Sequence, residues 1–463
     1  MKAAVAAGHP ATVDAGIEIL EEGGSAADAA VAATLASCVA ETVMTGLLGG
    51  AHAIHYEATS GRVRNLDCFV AVPGLGAERR EPELVQLDVP FGAELIHYAV
   101  GPASCAVPGL PAGLEALWRG HGQLPWPRLV EPAVRLARDG VDFPAAHAAC
   151  LAMLAPVMTM NEGARIYSPR GELLAAGDKL EQPGLTDALE ALALDTSAVY
   201  GGSIGESLLA LSAERGGLLT RTDLDAYEPR WSEPVEVGYR AARLVTRGGL
   251  SGLPETVPRL PRLRGLGDTE RVLALVDVFA NDRDSRGDTT NVAVVDDEGN
   301  ACVVTSSLGL GSGDFLPGLD LHLNSMLGEA DLLRGPLEPG TRMLSMMAPT
   351  LVLDRDGIGL AAGAAGGTRL RTALLGVIAG ILDEGLPASV AVERPRFHPA
   401  AELVNAEPGV DEAALAALEA GGRTVRRWPA PHHYFGGVSV VSRSGAAGDP
   451  RRSGAASTIR RRR

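Results

Sequence analysis

The chain of 463 residues is 46% hydrophobic and 21% charged, which is typical of a folded protein with a large core. Its formal net charge of −16 argues against nucleic acid as a partner, because surfaces that bind phosphates are basic. Aromatic residues make up 4%, while 57 glycines favour tight turns and close packing of helices on sheets over a surface that stacks bases or sugars.

The first predicted elements are two alanine-rich helices within residues 11–39. Gly23 and Gly24 predict the end of the first helix, and Ser25 is a suitable N-terminal cap for the second. Residues 51–56 alternate as a strand does, and residues 62–69 fit its hairpin partner. A Pro-Gly turn and a short helix are predicted within residues 108–120, and a helix that starts near Pro132 within residues 129–139. Most of residues 145–215 is also predicted to be helical.

The middle of the chain contains one helix signal and one long irregular stretch. Thr222 resembles the cap of a short helix. Residues 245–266 combine several Pro, Gly and Arg residues with little periodicity, so we predict a long surface loop there. A helix is expected over residues 268–281.

Thr289 directly precedes a predicted hairpin. Residues 292–295 and 301–305 read as its strands, joined by a five-residue turn. Strands near residues 350–353 and 359–362 and a helix over 371–384 follow. Since helical segments flank the strands and no repeat or linker is evident, we predict one layered α/β domain.

Five separated cysteines without a CxxC pair indicate neither a disulfide framework nor a zinc site, so buried reduced thiols are expected. The first ten residues carry one positive charge and no sustained apolar segment, so we expect no signal peptide and a cytoplasmic protein. No segment reaches the ~20 apolar residues that a membrane span needs. The four arginines at residues 460–463 are expected to form a solvated end.

Thr289 is a candidate nucleophile if the chain is cut before it. An N-terminal threonine carries an α-amine with an ordinary pKa of about 7.7–8.0 beside its own hydroxyl, so a single residue supplies both nucleophile and base. A threonine pair before a strand is by itself usually structural, because β-branched residues favour strands.

Three other patterns were weighed as binding sites. Residues 309–313 are rich in glycine but lack the Lys-Ser/Thr of a phosphate loop. His52 with His55, and His432 with His433, have the residue type of metal ligands but no acidic cluster nearby. Residues 363–368 predict a turn whose backbone N–H groups become a candidate oxyanion hole if a nucleophile lies beside it.

The chain resembles the γ-glutamyltransferase (glutathione hydrolase) family along essentially its whole length. The resemblance rests on ordered matches at residues 13–15, 20–32, 48–50, 108–109, 112–113, 131–133, 136–140, 216–220, 223–224, 289–290, 294–296, 299–301, 342–345, 348–350, 366–367, 394–398 and 449–451. It implies a precursor that cuts itself before a threonine and a four-layer αββα fold of the N-terminal-nucleophile hydrolase type. Residues 1–288 would then form a large-subunit segment and 289–463 a small-subunit segment, interleaved in one domain.

The resemblance also implies roles for individual residues. Thr289 matches the family's nucleophile, and Ser307 matches the threonine that orients its free amine. Gly366 and Gly367 match the glycine pair that stabilises the oxyanion, and Ser345 matches the first of two serines that hold the substrate's α-carboxylate. No metal or organic cofactor is expected.

The departures from the family pattern lie in substrate recognition. Phe69 stands where the family has the arginine that binds the α-carboxylate, and Met346 replaces the second serine. The family's acid for the substrate's amine falls at Gly328, with Glu329 one position away as a candidate replacement. A nearby glutamine becomes Ser325 and an asparagine becomes Gly309. Because an unpaired buried carboxylate is costly, a standard γ-glutamyl donor is expected to bind poorly unless Arg342 or Arg369 supplies the charge.

We therefore expect a self-processing threonine hydrolase or acyltransferase that cleaves an amide of a small molecule, with water or an amine as acceptor. Its two segments would stay paired after cleavage, and whether it forms a homodimer is left open. Two alternatives remain. One is a related amide acylase that is not specific for glutamyl groups, favoured by Phe69 and Met346. The other is an uncut, noncatalytic member that binds a metabolite or partner, and the irregular stretch at residues 245–266 favours it.

Overall fold

The computed structural model describes residues 1–78, 81–91, 94–280, 289–334 and 337–459. The α-helices are α1 Pro10–Glu21, α2 Ala26–Ala40, α3 Leu110–His121, α4 Trp126–Asp139, α5 Ala145–Met158, α6 Gly163–Tyr167, α7 Pro183–Leu194, α8 Ser203–Glu214, α9 Arg221–Asp225, α10 Leu253–Thr256, α11 Asp268–Phe279, α12 Arg369–Leu382, α13 Ala388–Glu393 and α14 Glu412–Ala420. The strands are β1 Ala4–Ala7, β2 Gly50–Glu57, β3 Arg62–Cys68, β4 Val85–Phe91, β5 Glu94–Val100, β6 Val141–Asp142, β7 Lys179–Leu180, β8 Arg230–Ser232, β9 Val235–Tyr239, β10 Ala242–Thr246, β11 Thr290–Val295, β12 Ala301–Ser307, β13 Phe315–Leu316, β14 Leu321–His322, β15 Thr350–Asp354, β16 Gly357–Ala365, β17 Phe397–Ala400, β18 Leu403–Ala406, β19 Thr424–Arg427, β20 Gly437–Ser442, β21 Gly445–Ala447 and β22 Ala455–Thr458.

The break between the first two helices is confirmed. Ser25 caps α2 in a capping box, in which the Ser25 side chain accepts from the backbone N–H of Asp28 and the Asp28 carboxylate accepts from the N–H of Ser25. Every residue of α2 is buried, which matches a sequence almost free of polar side chains. The helix α2 therefore lies inside the protein and not on its surface.

Two antiparallel sheets form the centre of the fold. The first has the strand order β22-β1-β11-β12-β2-β3-β8, and the second the order β21-β20-β16-β15-β10-β9. Each sheet combines strands from before and after Thr289. Cutting the chain before this residue would therefore leave both sheets held together by hydrogen bonds between the two pieces.

The alternation of side chains along β11 shows the layer order. Val292 and Val294 pack with α1, α2 and α4, whereas Ala293 and Val295 pack in a cluster between the two sheets. The outer face of the second sheet carries α12 and α13. The result is the predicted α/β fold with four layers in the order αββα.

The predicted surface loop at residues 245–266 is wrong. The stretch contains the end of β10 and all of α10, and it buries Leu253, Val257, Leu260 and Leu263 against the second sheet and its helices. Its prolines and glycines obscure the periodicity, but these apolar residues recur three or four positions apart and form one buried face.

Local signals misplaced three boundaries. The cap of α9 is Thr220 and not Thr222, because Thr220 forms the capping box with Asp223. Helix α4 begins at Trp126 and carries Pro132 inside it. Strand β16 continues to Ala365, so the predicted turn at residues 363–368 starts only at Gly366.

Two findings concern the whole of the described chain. All five cysteines are buried, as expected, and the structure places none of them in a disulfide bond. Among the described residues, no helix is both long and apolar enough to cross a membrane. The arginines at 460–463 and the end of the helix predicted over 268–281 lie outside the described residues.

Candidate functional site

A small cavity of about 30 Å³ lies at the start of β11. It forms there because β11 and β12 are antiparallel, so Thr289, just before the first strand, lies beside Ser307 at the end of the second. The cavity is lined by Phe69, Thr289, Ser307, Met326, Glu329, Leu332, Ser345, Met346, Met347, Gly367 and Leu370. Eight residues are predicted from the sequence to form the site: Thr289, Ser307, Gly366, Gly367, Ser345, Phe69, Met346 and Glu329. The cavity brings together all of them except Gly366, which is adjacent to Gly367.

Thr289 and Thr290 belong to opposite faces of the first sheet. Asn291 lies two residues after Thr289, so the two side chains point to the same side of the strand. Asn291 accepts a hydrogen bond from the backbone N–H of Ser439 in the second sheet. Thr290 donates its hydroxyl to Glu41, which follows α2 on the helical side. The side of the strand that carries Thr289 therefore faces the space between the sheets, where the cavity lies.

Gly366 and Gly367 form the turn between β16 and α12. Their φ angles of 122° and 57° lie in the region that favours glycine. A Cβ at Gly366 would also lie 2.8 Å from the Cα of Gly436, so no side chain fits there. The pair lies just before the N-terminus of α12. At a helix N-terminus the backbone N–H groups have no partner within the helix, and the helix dipole favours negative charge.

Ser345 also lines the cavity. Its hydroxyl oxygen accepts from the backbone N–H of Met347 at 3.1 Å, and its carbonyl accepts from Arg247 at 3.1 Å. Burial lowers the pKa of the Arg247 guanidinium to about 10, opposed by the charge of Asp67. Arg247 was not singled out from the sequence, because it stood in the stretch that was predicted to be a surface loop.

Phe69 stands at the position where an arginine would supply a positive charge, and it makes this part of the cavity wall apolar. It is 1% exposed, and its ring stacks on His52 with the centroids 5.5 Å apart. Burial holds the pKa of His52 well below its ordinary value, so this imidazole is neutral near pH 7. The remaining apolar wall consists of Met326, Leu332, Met346, Met347 and Leu370.

Neither of the two arginines considered as replacements lines the cavity. Arg342 stacks over Tyr227 and donates to the hydroxyl of Tyr227 and to the carbonyls of Phe69 and Glu228. Arg369 is fully buried, donates to the carbonyl of Tyr434 at 2.8 Å and lies over the ring of that residue. Arg342 therefore meets the cavity lining through the backbone of Phe69, and Arg369 is held against Tyr434.

Glu329 reaches the cavity, whereas a side chain at Gly328 could not. A Cβ at Gly328 would lie 1.6 Å from the carbonyl oxygen of Ala99. A Cβ at Gly309 would lie 2.6 Å from Oε1 of Glu329 and 2.7 Å from Oγ of Ser325. The carboxyl group of Glu329 therefore occupies the space that an asparagine at position 309 would take.

We expect Gly328→Ala to destabilise the protein by about 1–3 kcal/mol, because the added methyl group overlaps a backbone oxygen that cannot move independently. Urea unfolding monitored by circular dichroism measures this loss. Gly376→Ala is the matched control, since no atom would contact its new Cβ and alanine favours the helix α12. Equal stability of Gly328→Ala and the natural chain would contradict the close approach to Ala99.

A larger cavity of about 670 Å³ shares a wall with the small one. Leu327 and Leu333 line the large cavity, and their chain neighbours Met326 and Leu332 line the small one. Val72, three residues after Phe69, belongs to the large cavity and to the same apolar cluster as Phe69. The segment around residues 326–333 thus stands between Thr289 and a largely apolar space.

The histidines of β2 and the glycine-rich residues 309–313, which are candidate binding sites in the sequence, make contacts within the fold. His52 and His55 lie on opposite faces of β2, and His55 stacks on His121 with a centroid distance of 3.8 Å. In the loop at residues 309–313, the N–H of Gly313 donates to His322. Within the described part of the chain, no three His, Cys, Asp or Glu residues lie together as a metal ion would require.

Comparison with known proteins gives one family over nearly all of the chain. The family model for gamma-glutamyltranspeptidase matches residues 12–255 and 269–459. The Acylase ACY 1 proenzyme of Pseudomonas sp. (strain SE83) is 28% identical over 502 aligned residues, covering 95% of this chain and 89% of the relative. The glutathione hydrolase proenzyme of Escherichia coli (strain K12) is 27% identical over 504 residues, covering 90% and 86%.

A solved structure supports the fold independently. The cephalosporin acylase from Bacillus halodurans superposes with a TM-score of 0.83 at 22% sequence identity. The match covers 99% of this chain and 96% of the acylase. The sheets and helices described above therefore have the same arrangement as those of this solved structure, over nearly the whole length of both chains.

Proposed function

The chain belongs to the gamma-glutamyltranspeptidase family, and we propose that it is an autoprocessed amide hydrolase or acyltransferase whose nucleophile is Thr289. One observation carries this proposal: Thr289 shares a cavity with Ser307, Ser345 and Gly367. These are the residue types that acyl transfer requires, namely a hydroxyl nucleophile, neighbouring hydroxyl groups and glycine N–H groups for an oxyanion.

The first proposed reaction is cleavage of the chain itself. Oγ of Thr289 attacks the carbonyl carbon of Asp288, which lies outside the described residues. The peptide nitrogen leaves as the amine of Thr289, so the acyl group moves from nitrogen to oxygen. Water then hydrolyses the resulting ester. The products are segments 1–288 and 289–463, the second of which begins with a free α-amine.

The second proposed reaction is turnover of an external amide. Oγ of Thr289 attacks the substrate carbonyl while the α-amine accepts the hydroxyl proton and returns it to the leaving amine. The N–H groups of Gly366 and Gly367 stabilise the oxyanion, and Ser307 orients the amine. Water or an amine then releases the acyl group from the ester. The uncut chain is inactive in this reaction because its amine is still part of a peptide bond.

We propose that the acyl donor is apolar near the reacting carbonyl, which makes the enzyme an acylase. Phe69, Met346 and their apolar neighbours support this choice, and a largely apolar cavity adjoins them. Relatives named as acylases and as glutathione hydrolases both occur among the matches. A γ-glutamyl donor is the second candidate, favoured by Glu329, whose carboxyl group could pair with the donor's ammonium group.

A panel of acyl-anilides tests the choice of donor. We expect kcat/KM to be at least about tenfold higher for a short aliphatic acyl-anilide than for the γ-glutamyl anilide, because no Lys, Arg or His is among the described residues that line the cavity. Glu329→Gln should leave the aliphatic donor unaffected. The control is Glu402→Gln, which changes an exposed carboxylate. A preference for the γ-glutamyl donor that Glu329→Gln removes would establish the second candidate instead.

The noncatalytic alternative loses its sequence support. It rested on the irregular stretch at residues 245–266, which is folded and buried against the second sheet. Absence of self-cleavage in the purified protein would restore it. The cytoplasmic location and the question of a homodimer stay predictions.

A further inference from the structure

Glu41 is a buried carboxylate that α2 places next to the start of β11. It follows the last residue of the helix, its N–H donates to the carbonyl of Ser37, and it is 0% exposed. A carboxylate in this position faces the negative end of the helix dipole and loses its hydration. Both effects disfavour the ionised form of Glu41, so other contacts must stabilise the charge.

The contacts of Glu41 lead directly to the residue after Thr289. Its Oε2 accepts from the hydroxyl of Thr290, and its Oε1 accepts from the hydroxyl of Thr12 at 2.7 Å. A Cβ at Gly8 would lie 2.2 Å from Oε2 of Glu41 and 2.7 Å from Oγ of Thr290. Residue 8 must therefore be glycine for this hydrogen bond to form.

Arg452 completes the arrangement on the same side of the strand. Its Nη1 donates to the carbonyl oxygen of Thr289 at 3.3 Å, and the side chain is 3% exposed. Its positive charge acts on Glu41, where it favours the ionised carboxylate. Glu41 and Arg452 thus hold two successive residues of the chain, one by the side chain of Thr290 and the other by the carbonyl of Thr289.

We propose that ionised Glu41 is a positioning residue for Thr289, fixing the start of β11 through Thr290 and Arg452 so that Oγ of Thr289 faces the scissile carbonyl. This inference rests on the proposed function, because it requires cleavage before Thr289. The nucleophile lies at the free end of a strand, where small rotations of the backbone would move Oγ. A misplacement of about 1 Å can cost on the order of 10²-fold in rate.

The protonation of Glu41 gives this role a measurable signature. Burial raises the pKa of Glu41 to about 7, while the hydrogen bonds from Thr290 and Thr12 and the charge of Arg452 oppose the rise. Burial raises the pKa of Cys38 far above neutral and lowers those of the surrounding imidazoles His9, His147 and His433. Burial therefore moves the pKa of each of these groups away from neutral pH, whereas it brings the pKa of Glu41 to about 7.

Stability separates positioning from a merely structural role. The pKa of Glu41 is higher in the folded chain than in the unfolded chain, so ionising it above the unfolded value weakens folding. Glu41→Gln should therefore leave the midpoint of thermal unfolding unchanged or higher near pH 8. A side chain needed only for folding would give a lower midpoint.

The test is the pH dependence of self-cleavage, followed by mass spectrometry on freshly made full chain. In the uncut chain the nitrogen of Thr289 is an amide and does not titrate, so a rate change near pH 7 must come from another group. We expect the natural chain to lose about tenfold in rate per pH unit below pH 7. Glu41→Gln should cleave about 10²-fold more slowly at pH 8 and lose this pH dependence.

Thr290→Val gives a second test that keeps Glu41 in place. It removes the hydroxyl but not the shape of the side chain, so cleavage should slow and its pH midpoint should rise, because the carboxylate loses a donor. The double variant should be no slower than the slower single variant, since both changes break one connection. Thr12→Val is the matched control: it also removes a donor to Glu41, but on α1, so only the pH midpoint should rise.

Two failures are distinguishable. If the natural chain is never cut, the proposed function fails. If it is cut, but Glu41→Gln and Thr290→Val are cut at the natural rate with the natural pH dependence, the positioning role of Glu41 is refuted while Thr289 remains the nucleophile.

Discussion

Thr289→Ala is expected to remain a single uncut chain, whereas the natural chain yields two fragments, the smaller beginning at Thr289. Alanine removes the only atom that attacks the preceding carbonyl in the proposed reaction, and the peptide bond is otherwise stable for years in neutral water. The loss should therefore be complete on a laboratory timescale. Intact mass and N-terminal sequencing of the purified proteins measure it directly.

Thr289→Ser is the matched control for that experiment. Serine keeps the hydroxyl and removes only a methyl group, so cleavage at the same bond should continue, at a changed rate. Cleavage of the alanine variant before residue 289 would exclude Thr289 as the nucleophile. A natural chain that stays uncut after prolonged incubation would make the noncatalytic, metabolite-binding alternative the leading one.

Arg451→Ala is expected to lower the free energy of unfolding by about 3–5 kcal/mol, because it removes the cation that pairs with buried Glu407 and one of the two that pair with buried Asp449. Arg451 is 7% exposed and donates to Glu407 at 2.6 Å and to Asp449 at 3.2 Å. Asp449 also accepts from Arg396 and from the N–H of Val438 at 3.0 Å. Guanidinium chloride unfolding of the purified protein measures the change.

The surface pair of Arg443 and Asp354 supplies the control. Arg443 is 41% exposed in its side chain and donates to Asp354 at 2.5 and 2.8 Å. Water screens such a pair, so Arg443→Ala should cost less than about 1 kcal/mol. Equal losses in the two variants would show that burial adds nothing to the Arg451 network.

The same network gives a pH dependence with a definite sign. Burial alone would raise the pKa of Asp449, but Arg396 and Arg451 hold it below its ordinary value. A carboxyl group whose pKa is lower in the folded chain contributes stability above its unfolded value, about 3.9, and loses it as the pH falls through the folded value. The natural chain should therefore lose stability below about pH 4, and Arg451→Ala should lose less of it there.

Most elements and the layered α/β class followed from local pattern, whereas the αββα order of the layers followed from the resemblance to the family. The Gly-Gly break and Ser25 set the ends of α1 and α2, and alternation located the strands around Thr289. Prediction failed where one signal had close competitors, as with Thr220 and Thr222, or where Pro and Gly hid a buried face, as at residues 245–266.

The sequence by itself determined the residue types of the candidate site and their order along the chain. Thr289, Ser307, Ser345 and Gly367 were singled out before any distance was known, and they share one cavity. Their roles stay proposals, since a shared cavity shows placement and not chemistry.

Only the tertiary structure decided which charges act on this site. Glu41, Arg247 and Arg452 lie 248, 42 and 163 positions from Thr289 along the chain, and no local pattern relates them to it. Likewise, position 328 has no room for a side chain because the carbonyl of Ala99, in a hairpin distant along the chain, lies against it. The carboxyl group in the cavity is therefore that of Glu329. Periodicity and capping act within a few residues, whereas burial and Coulomb interactions depend on distance in space, so the electrostatics of the site exist only once the chain is folded.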